Sequence, residues 1–148
     1  MEHDVIDVLN SYLPKNGRVG IVGVGNFGSE VRGYVVAHGL DAVLCDPPRN
    51  LEEATELGEH FFDLLGNGMG GCGLSNEGME VFVPLDALVR TDAIVVQVPL
   101  TTAEPYATKG MISADFLRKC RSDMKIICLC DRNVVAQEVQ EDSRIIYV

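Results

Sequence analysis

The chain has 148 residues, 47% of them apolar, and a formal net charge of −10. A chain of that length is expected to fold as one domain that buries about 70% of its unfolded surface. Its acidity argues against a nucleic-acid partner, no apolar run approaches the roughly 20 residues of a membrane span, and the acidic opening M-E-H-D-V-I-D differs from the basic start of a secretory signal, so a soluble cytoplasmic protein is expected.

Residues 4–13 place Val5, Val8, Leu9 and Tyr12 on one helical face, and Pro14 ends the pattern. This N-terminal amphipathic helix, within residues 1–16, needs something to cover it, either the edge of the same domain or a second copy. Residues 17–148 then alternate strand and helix. Arg18 to Val24 is a near-continuous apolar run, as expected for a parallel strand covered on both faces. A helix follows from Asn26 to His38, with Phe27, Val31 and Val35 toward the sheet and Gly39 as its stop. A second strand, Ala42 to Cys45, runs into Asp46, and Pro47-Pro48 prevents it from continuing.

Within this unit Gly23-x-Gly25-x-x-Gly28 joins the first strand to the helix, and Asp46 follows 18 residues after the last glycine. Each part has a physical role in holding an adenine dinucleotide. Gly23 permits the tight turn, Gly25 removes the Cβ that would keep a diphosphate off the backbone, and Gly28 lets helix and strand pack closely. The first turn of the helix, with Asn26 and Phe27, directs unpaired N–H groups and the positive dipole end at the phosphates. Asp46, with Pro47 beside it, is placed to accept hydrogen bonds from the ribose hydroxyls. A carboxylate about 4 Å from a 2′-phosphate would oppose it by roughly 4 kcal/mol at an effective dielectric of 20. NAD is therefore expected over NADP, although Arg49 offsets part of that repulsion.

Residues 51–83 are unusual. An acidic helical pattern leads into G-N-G-M-G-G-C-G-L-S-N-E-G, with six glycines in thirteen residues. This glycine-rich insert reads either as a surface loop or as a flap beside the adenosine site. Glu80 to Val83 is a short candidate strand, and Leu85, Leu88 and Val89 mark a short buried helix. The next strand, Ala93 to Val98, stops at Pro99. Val98, Pro99 and Leu100 leave its carboxyl end and face the glycine turn, where a nicotinamide or substrate would lie. Ser113 caps a helix to Cys120, Lys125 to Cys130 forms another strand, and R-I-I-Y-V closes the sheet. The expected fold is α/β: a Rossmann-like, doubly wound, mainly parallel sheet with helices on both faces.

Five cysteines show no CxxC pair and no clustered histidines, so reduced thiols packed as small hydrophobes are expected, and no metal. Cys128 and Cys130, two apart along a strand, would face one side of the sheet. His38 and His60 read as structural or solvent-facing.

Three segments, V-G-I-V-G-V-G-N-F-G, L-C-D-P-P-R and V-P-L-T-T-A-E-P-Y-A-T, together resemble the coenzyme domain of the D-2-hydroxyacid dehydrogenase family, on its erythronate-4-phosphate dehydrogenase branch. The resemblance runs from about Gly17 to Ala136 and implies NAD as cofactor and pairing of coenzyme domains into a homodimer. The insert over Leu51 to Val83 departs from it. So does the end of the fifth strand, where the family's arginine, which holds the substrate carboxylate, aligns with Asp131, and Arg132 stands one place late. Gln97 occupies a position where relatives often carry histidine. The family's general acid/base pair and its substrate domain are expected to lie outside this sequence.

Without those groups a stand-alone NAD(H)-binding module is the first expectation. An enzyme is the second, either a dehydrogenase subunit completed by another chain supplying a substrate domain or a different small oxidoreductase using Arg132, Tyr106 or Lys109 near the switch point as catalytic candidates. A domain that keeps the fold without the nucleotide is the third.

Overall fold

A computed structural model describes residues 3–23, 26–45, 83–102 and 107–148, with the backbone alone for 26–29. Its frame is a sheet of β1 (Arg18–Val22), β2 (Asp41–Cys45), β3 (Ala93–Val96), β4 (Lys125–Cys128) and β5 (Ile145–Tyr147). These lie in the order β2-β1-β3-β4-β5, every adjacent pair parallel. The helices are α1 (His3–Tyr12), α2 (Asn26–Ala37) and α3 (Ala114–Lys119), with 3₁₀ turns at Leu85–Arg90, Arg132–Val134 and Gln137–Val139. This is the Rossmann-like, doubly wound α/β fold expected from the alternation of strand and helix.

The sheet is apolar on both sides because each strand alternates between two cores. Val19, Ile21, Ala42, Leu44, Val95 and Ile127 point to one face, where α2 covers them with Val31 and Val35 and α1 adds Val5 and Leu9. Val22, Val43, Cys45, Ile94, Val96, Ile126 and Cys128 point to the other, beneath Leu88 of the first 3₁₀ turn and Phe116 and Leu117 of α3. The amphipathic N-terminal helix thus docks on its own sheet. Burying Val5 and Leu9 contributes about 1.5–3 kcal/mol per side chain, and the Tyr34 hydroxyl of α2 reaches Asn10 of α1.

Leu88 is seated unusually deep. It lies over Gly20 of β1, where an added Cβ would approach its Cδ2 to 3.0 Å. A glycine in mid-strand is unfavourable on propensity, but here it lets the 3₁₀ turn settle directly on the backbone of β1. Thr91 ends that turn by donating its hydroxyl to Leu88 O at 2.6 Å.

Strand ends differ from the sequence expectation in a consistent way. β1 stops at Val22 rather than Val24, β3 at Val96 rather than Val98, and β4 at Cys128 rather than Cys130. At β3 and β4 the apolar character continues past the strand because the exiting residues still cover the core, as Val98 and Cys130 do, whereas the strand itself has already ended; Val24 lies outside the described residues. The segment after Pro84 forms a 3₁₀ turn, with Leu88 buried and Leu85 and Val89 partly so. α3 has the expected cap, the Ser113 hydroxyl accepting from Phe116 N at 3.1 Å. The candidate strand at 80–83 lies outside the described residues except for Val83, whose N–H donates to Leu44 O at 2.8 Å. His38 is exposed and stacked on Tyr34, with ring centroids 4.1 Å apart.

Candidate functional site

In the strand order β2-β1-β3, the chain leaves β1 to one side and later returns to the other, so the carboxyl ends of β1 and β3 form the switch point at which doubly wound folds bind ligands. Gly23 stands there. Its φ is +91°, and a Cβ on it would lie 1.8 Å from Gln97 O and 2.8 Å from Val98 Cγ1. Gly23 N donates to Cys45 O at 2.7 Å and Gln97 N donates to Val22 O at 2.8 Å. The exits of three strands are thus tied together around one residue that has to be glycine. α2 opens three residues later at Asn26, so its free N–H groups belong to the same edge.

Of the residues expected to hold the coenzyme, the structure brings together Gly23 and Val98, and places Asn26, Phe27 and Gly28 in the opening of α2. Gly25, Asp46, Pro47 and Arg49 lie outside the described residues, as do the glycine-rich insert, His60 and Tyr106. Val98 packs its side chain into the core, whereas Pro99 and Leu100 are exposed beside it.

Two features of this edge are not evident from the motif. Gln97 Oε1 is shielded from solvent and has no hydrogen-bond partner among the described residues. A buried acceptor of this kind needs a donor from water or ligand. Beyond Leu100, the loop is closed by two threonines. Thr108 donates its hydroxyl to Pro99 O at 2.5 Å and accepts from Thr101 N at 2.8 Å, while Thr101 Oγ1 accepts from Thr108 N at 3.1 Å. Thr108→Val keeps the shape but removes the hydrogen bonds of its Oγ1, so urea unfolding is expected to show a loss of about 1–3 kcal/mol. An unchanged midpoint would mean that the clasp contributes nothing.

The exit of β4 explains the departure from the family pattern. Asp131 accepts from Asn133 N at 2.8 Å and caps the 3₁₀ turn Arg132–Val134. Its carboxylate therefore has a local structural role where an arginine is expected. Arg132 is held on the protein surface, pairing with Glu141 at 3.0 Å and lying 4.3 Å over the Tyr147 ring. Burial raises the Tyr147 phenol above its ordinary pKa, with the Arg132 guanidinium opposing.

Cys128 and Cys130 do face the same side, with their sulfurs 3.6 Å apart. The hydrogen bond between them lowers Cys128 to about 7 and pushes Cys130 well above the ordinary thiol range, where burial also acts. Cys45 and Cys120 are buried, as expected of thiols packed as small hydrophobes. Among the described residues no three His, Cys, Asp or Glu side chains gather as a metal site, and no helix is long and apolar enough to cross a membrane.

A parallel sheet with a glycine turn and a helix opening at its switch point defines a Rossmann-like α/β domain. Solved structures agree on the fold. An NAD-dependent formate dehydrogenase from Staphylococcus aureus in complex with NAD superposes with a TM-score of 0.58 at 19% identity, over 92% of this chain and 35% of its own. A cofactor (NAD+)-bound 3-phosphoglycerate dehydrogenase from Entamoeba histolytica gives 0.57 at 18% identity, over 90% and 36%. No family model matches the chain.

Sequence relatives narrow the class: the chain is similar to erythronate-4-phosphate dehydrogenases, within the D-2-hydroxyacid dehydrogenase family that the three motifs resemble. The Porphyromonas gingivalis enzyme of that name is 34% identical over 119 residues, which is 80% of this chain and 26% of that protein. The chain thus spans about a quarter of the length of the curated relatives it matches.

Proposed function

We propose that this chain holds NAD(H) at the carboxyl edge of β1 and β3, as the coenzyme-binding part of a D-2-hydroxyacid dehydrogenase-like protein. The observation that carries this reading is Gly23, whose φ of +91° and contact with the Gln97 carbonyl turn the chain from β1 into α2 at the switch point. The residues fit the group. Gly25, Gly28 and the first turn of α2 would receive the diphosphate on backbone N–H groups, so an acidic chain can bind an anion without a basic patch. Asp46 would take the ribose hydroxyls, with Pro47 and Arg49 alongside. The buried Gln97 Oε1 is an acceptor in want of a donor at the same edge, with Pro99 and Leu100 exposed next to it. When bound, NAD supplies hydride chemistry, and this chain binds and orients it.

Turnover of a 2-hydroxy acid would need a cation on the carboxylate and a proton donor of tuned pKa. Asp131 is a cap, and Arg132 is engaged with Glu141 and Tyr147. Both observations support binding without catalysis by these residues. A substrate domain on another segment or chain would be required for the reaction, and a second copy is the natural partner for a dimer. A cytoplasmic location accords with this role.

Thermal denaturation with NAD, NADH, NADP and ADP tests the proposal. Ligand at a hundredfold excess over Kd adds about 2.7 kcal/mol, a rise in Tm of roughly 5–10 °C for a chain of this size. Asp46→Ala is expected to weaken NAD more than NADP. No shift with any of the four would overturn the proposal, and equal weakening would remove Asp46 from the ribose site.

A further inference from the structure

We propose that Cys128 and Cys130 form a reversible intramolecular disulfide, making the carboxyl end of β4 a thiol-oxidation site for small disulfides of the oxidised-glutathione class. The proposal stands apart from the coenzyme reading and concerns a pair of side chains that reading does not use.

The geometry sets this pair apart from the other described cysteines. Cys45 and Cys120 are buried in the core, and burial raises the Cys120 thiol. Cys128 and Cys130 project to one face of the sheet, with Leu129 between them packed toward the opposite core. Their sulfurs are in contact at 3.6 Å. One partner is protected and the other reachable: Cys128 is 1% exposed, whereas Cys130 is partly open at the bend that follows β4. That asymmetry suits a pair in which one sulfur meets the oxidant and the other resolves the product. Two thiols with no third ligand gathered beside them among the described residues make a poor metal site.

The shared proton supplies the chemistry. Cys128 is lowered to about 7 by the hydrogen bond from Cys130, so a thiolate is present on the pair near neutral pH. Cys130 holds its proton more strongly than Cys128, so exchange across the 3.6 Å contact puts the charge on Cys130 only in a minor fraction of molecules, and that fraction attacks one sulfur of the external disulfide. A Cys130–S–S–R bond forms, and one R–S⁻ leaves with the electron pair of the broken bond. Cys128, as thiolate, then attacks the Cys130 sulfur and expels the second R–S⁻. Two electrons have passed from the two cysteines to the external disulfide, and the two thiol protons end on the two R–SH products.

The bond closes against some resistance. Residues i and i+2 of an extended chain have Cα atoms up to about 7 Å apart, near the outer limit for a disulfide. Leu129 N is fixed to Val96 O at 3.0 Å and Cys128 O accepts from Val148 N at 3.2 Å, so the first sulfur cannot travel freely. The second is held less tightly: the strand ends at Cys128, and Cys130 has only to release the hydrogen bond from the Val98 backbone for the bond to close. A strained disulfide is more readily reduced, which makes this one a switchable modification rather than a permanent staple.

The test equilibrates the full chain in glutathione buffers from reducing to oxidising ratios, quenches with acid and alkylates the free thiols. Cleavage after Lys125 and Arg132 releases both cysteines on one peptide, residues 126–132. The expected result is a change from a doubly alkylated peptide to an unalkylated one lighter by two hydrogens, reversed by dithiothreitol. Cys128→Ser is expected to stop at a stable glutathione adduct on Cys130. A wild-type peptide that stays doubly alkylated, one that retains glutathione, or a cross-link to Cys72 would each overturn the proposal. If Cys128→Ser does not fold, the wild-type peptide alone decides.

Discussion

Gly23→Ala is expected to lower the stability of the fold by about 3–5 kcal/mol, measured by urea unfolding. Two effects add. An L-residue at φ of +91° costs about 1–2 kcal/mol, and the new Cβ, only 1.8 Å from Gln97 O, meets backbone that has to move. Such a shift costs another 1–3 kcal/mol or so and strains the Gln97 N to Val22 O bond at 2.8 Å. Gly39 separates the two effects. Its φ is +78° but nothing lies within 4 Å of the added Cβ, so Gly39→Ala is expected to show the backbone cost alone. Equal losses at the two sites would mean that the contact with Gln97 carries no energy.

Arg144→Met is expected to cost about 2–4 kcal/mol. Arg144 is 17% exposed and Asp142 23%. The guanidinium makes a two-pronged pair with that carboxylate, Nε to Oδ1 and Nη2 to Oδ2, both at 2.9 Å. Its Nη1 donates to Leu117 O at 2.8 Å and Cys120 O at 3.3 Å, satisfying carbonyls at the end of α3. Methionine keeps the aliphatic stem but removes the guanidinium from the carboxylate, which retains only the backbone N–H of residue 144 at Oδ1, and from Cys120 O, while Leu117 O retains Cys120 N. The same pair fixes an acid dependence. Hydrogen bonding from Arg144 lowers Asp142 from 3.8 to about 2. A depressed carboxylate contributes stability that is complete above its unfolded value and is lost as pH falls through the folded one. That contribution is about 2 kcal/mol, lost between roughly pH 5 and pH 1. The stability advantage of wild type over Asp142→Asn should therefore shrink as pH falls across that range. A difference independent of pH would contradict the assignment.

The two positions differ in how far the sequence disclosed them. Gly23 was readable because its neighbours state its context: an apolar run before it and helical spacing after it. The same local logic located α1, α2, the Ser113 cap and the shared face of Cys128 and Cys130. It erred at strand ends, where hydrophobicity records burial rather than ladder bonds, so Val98 read as strand. It left open whether α1 packs on its own sheet, because an apolar face does not name its partner. Arg144 was silent: its carbonyl partners on and after α3 lie 23–27 residues earlier in the chain, and only the returning chain brings them together. The Thr101–Thr108 clasp and the orphan Gln97 Oε1 belong to the same class. Asp131 is the instructive case. Aligned as a missing arginine it signals loss, but the spacing Asp-x-Asn already carries a local capping bond. Of the candidate coenzyme set, the glycine turn and the opening of α2 can be placed, whereas Asp46 rests on the motif.

The seat of Leu88 on Gly20 couples two layers of the molecule through a single hydrogen-for-methyl exchange. With its Cδ2 3.0 Å from where a side chain would begin, neither position is free to drift alone. Bulk added to the strand has to be removed from the turn above it, and trimming the leucine opens a void that only a larger strand residue would refill. Divergence at these sites should therefore proceed by paired, size-compensating replacements, and a single enlargement of the glycine would lift the turn that carries Leu88 away from the sheet.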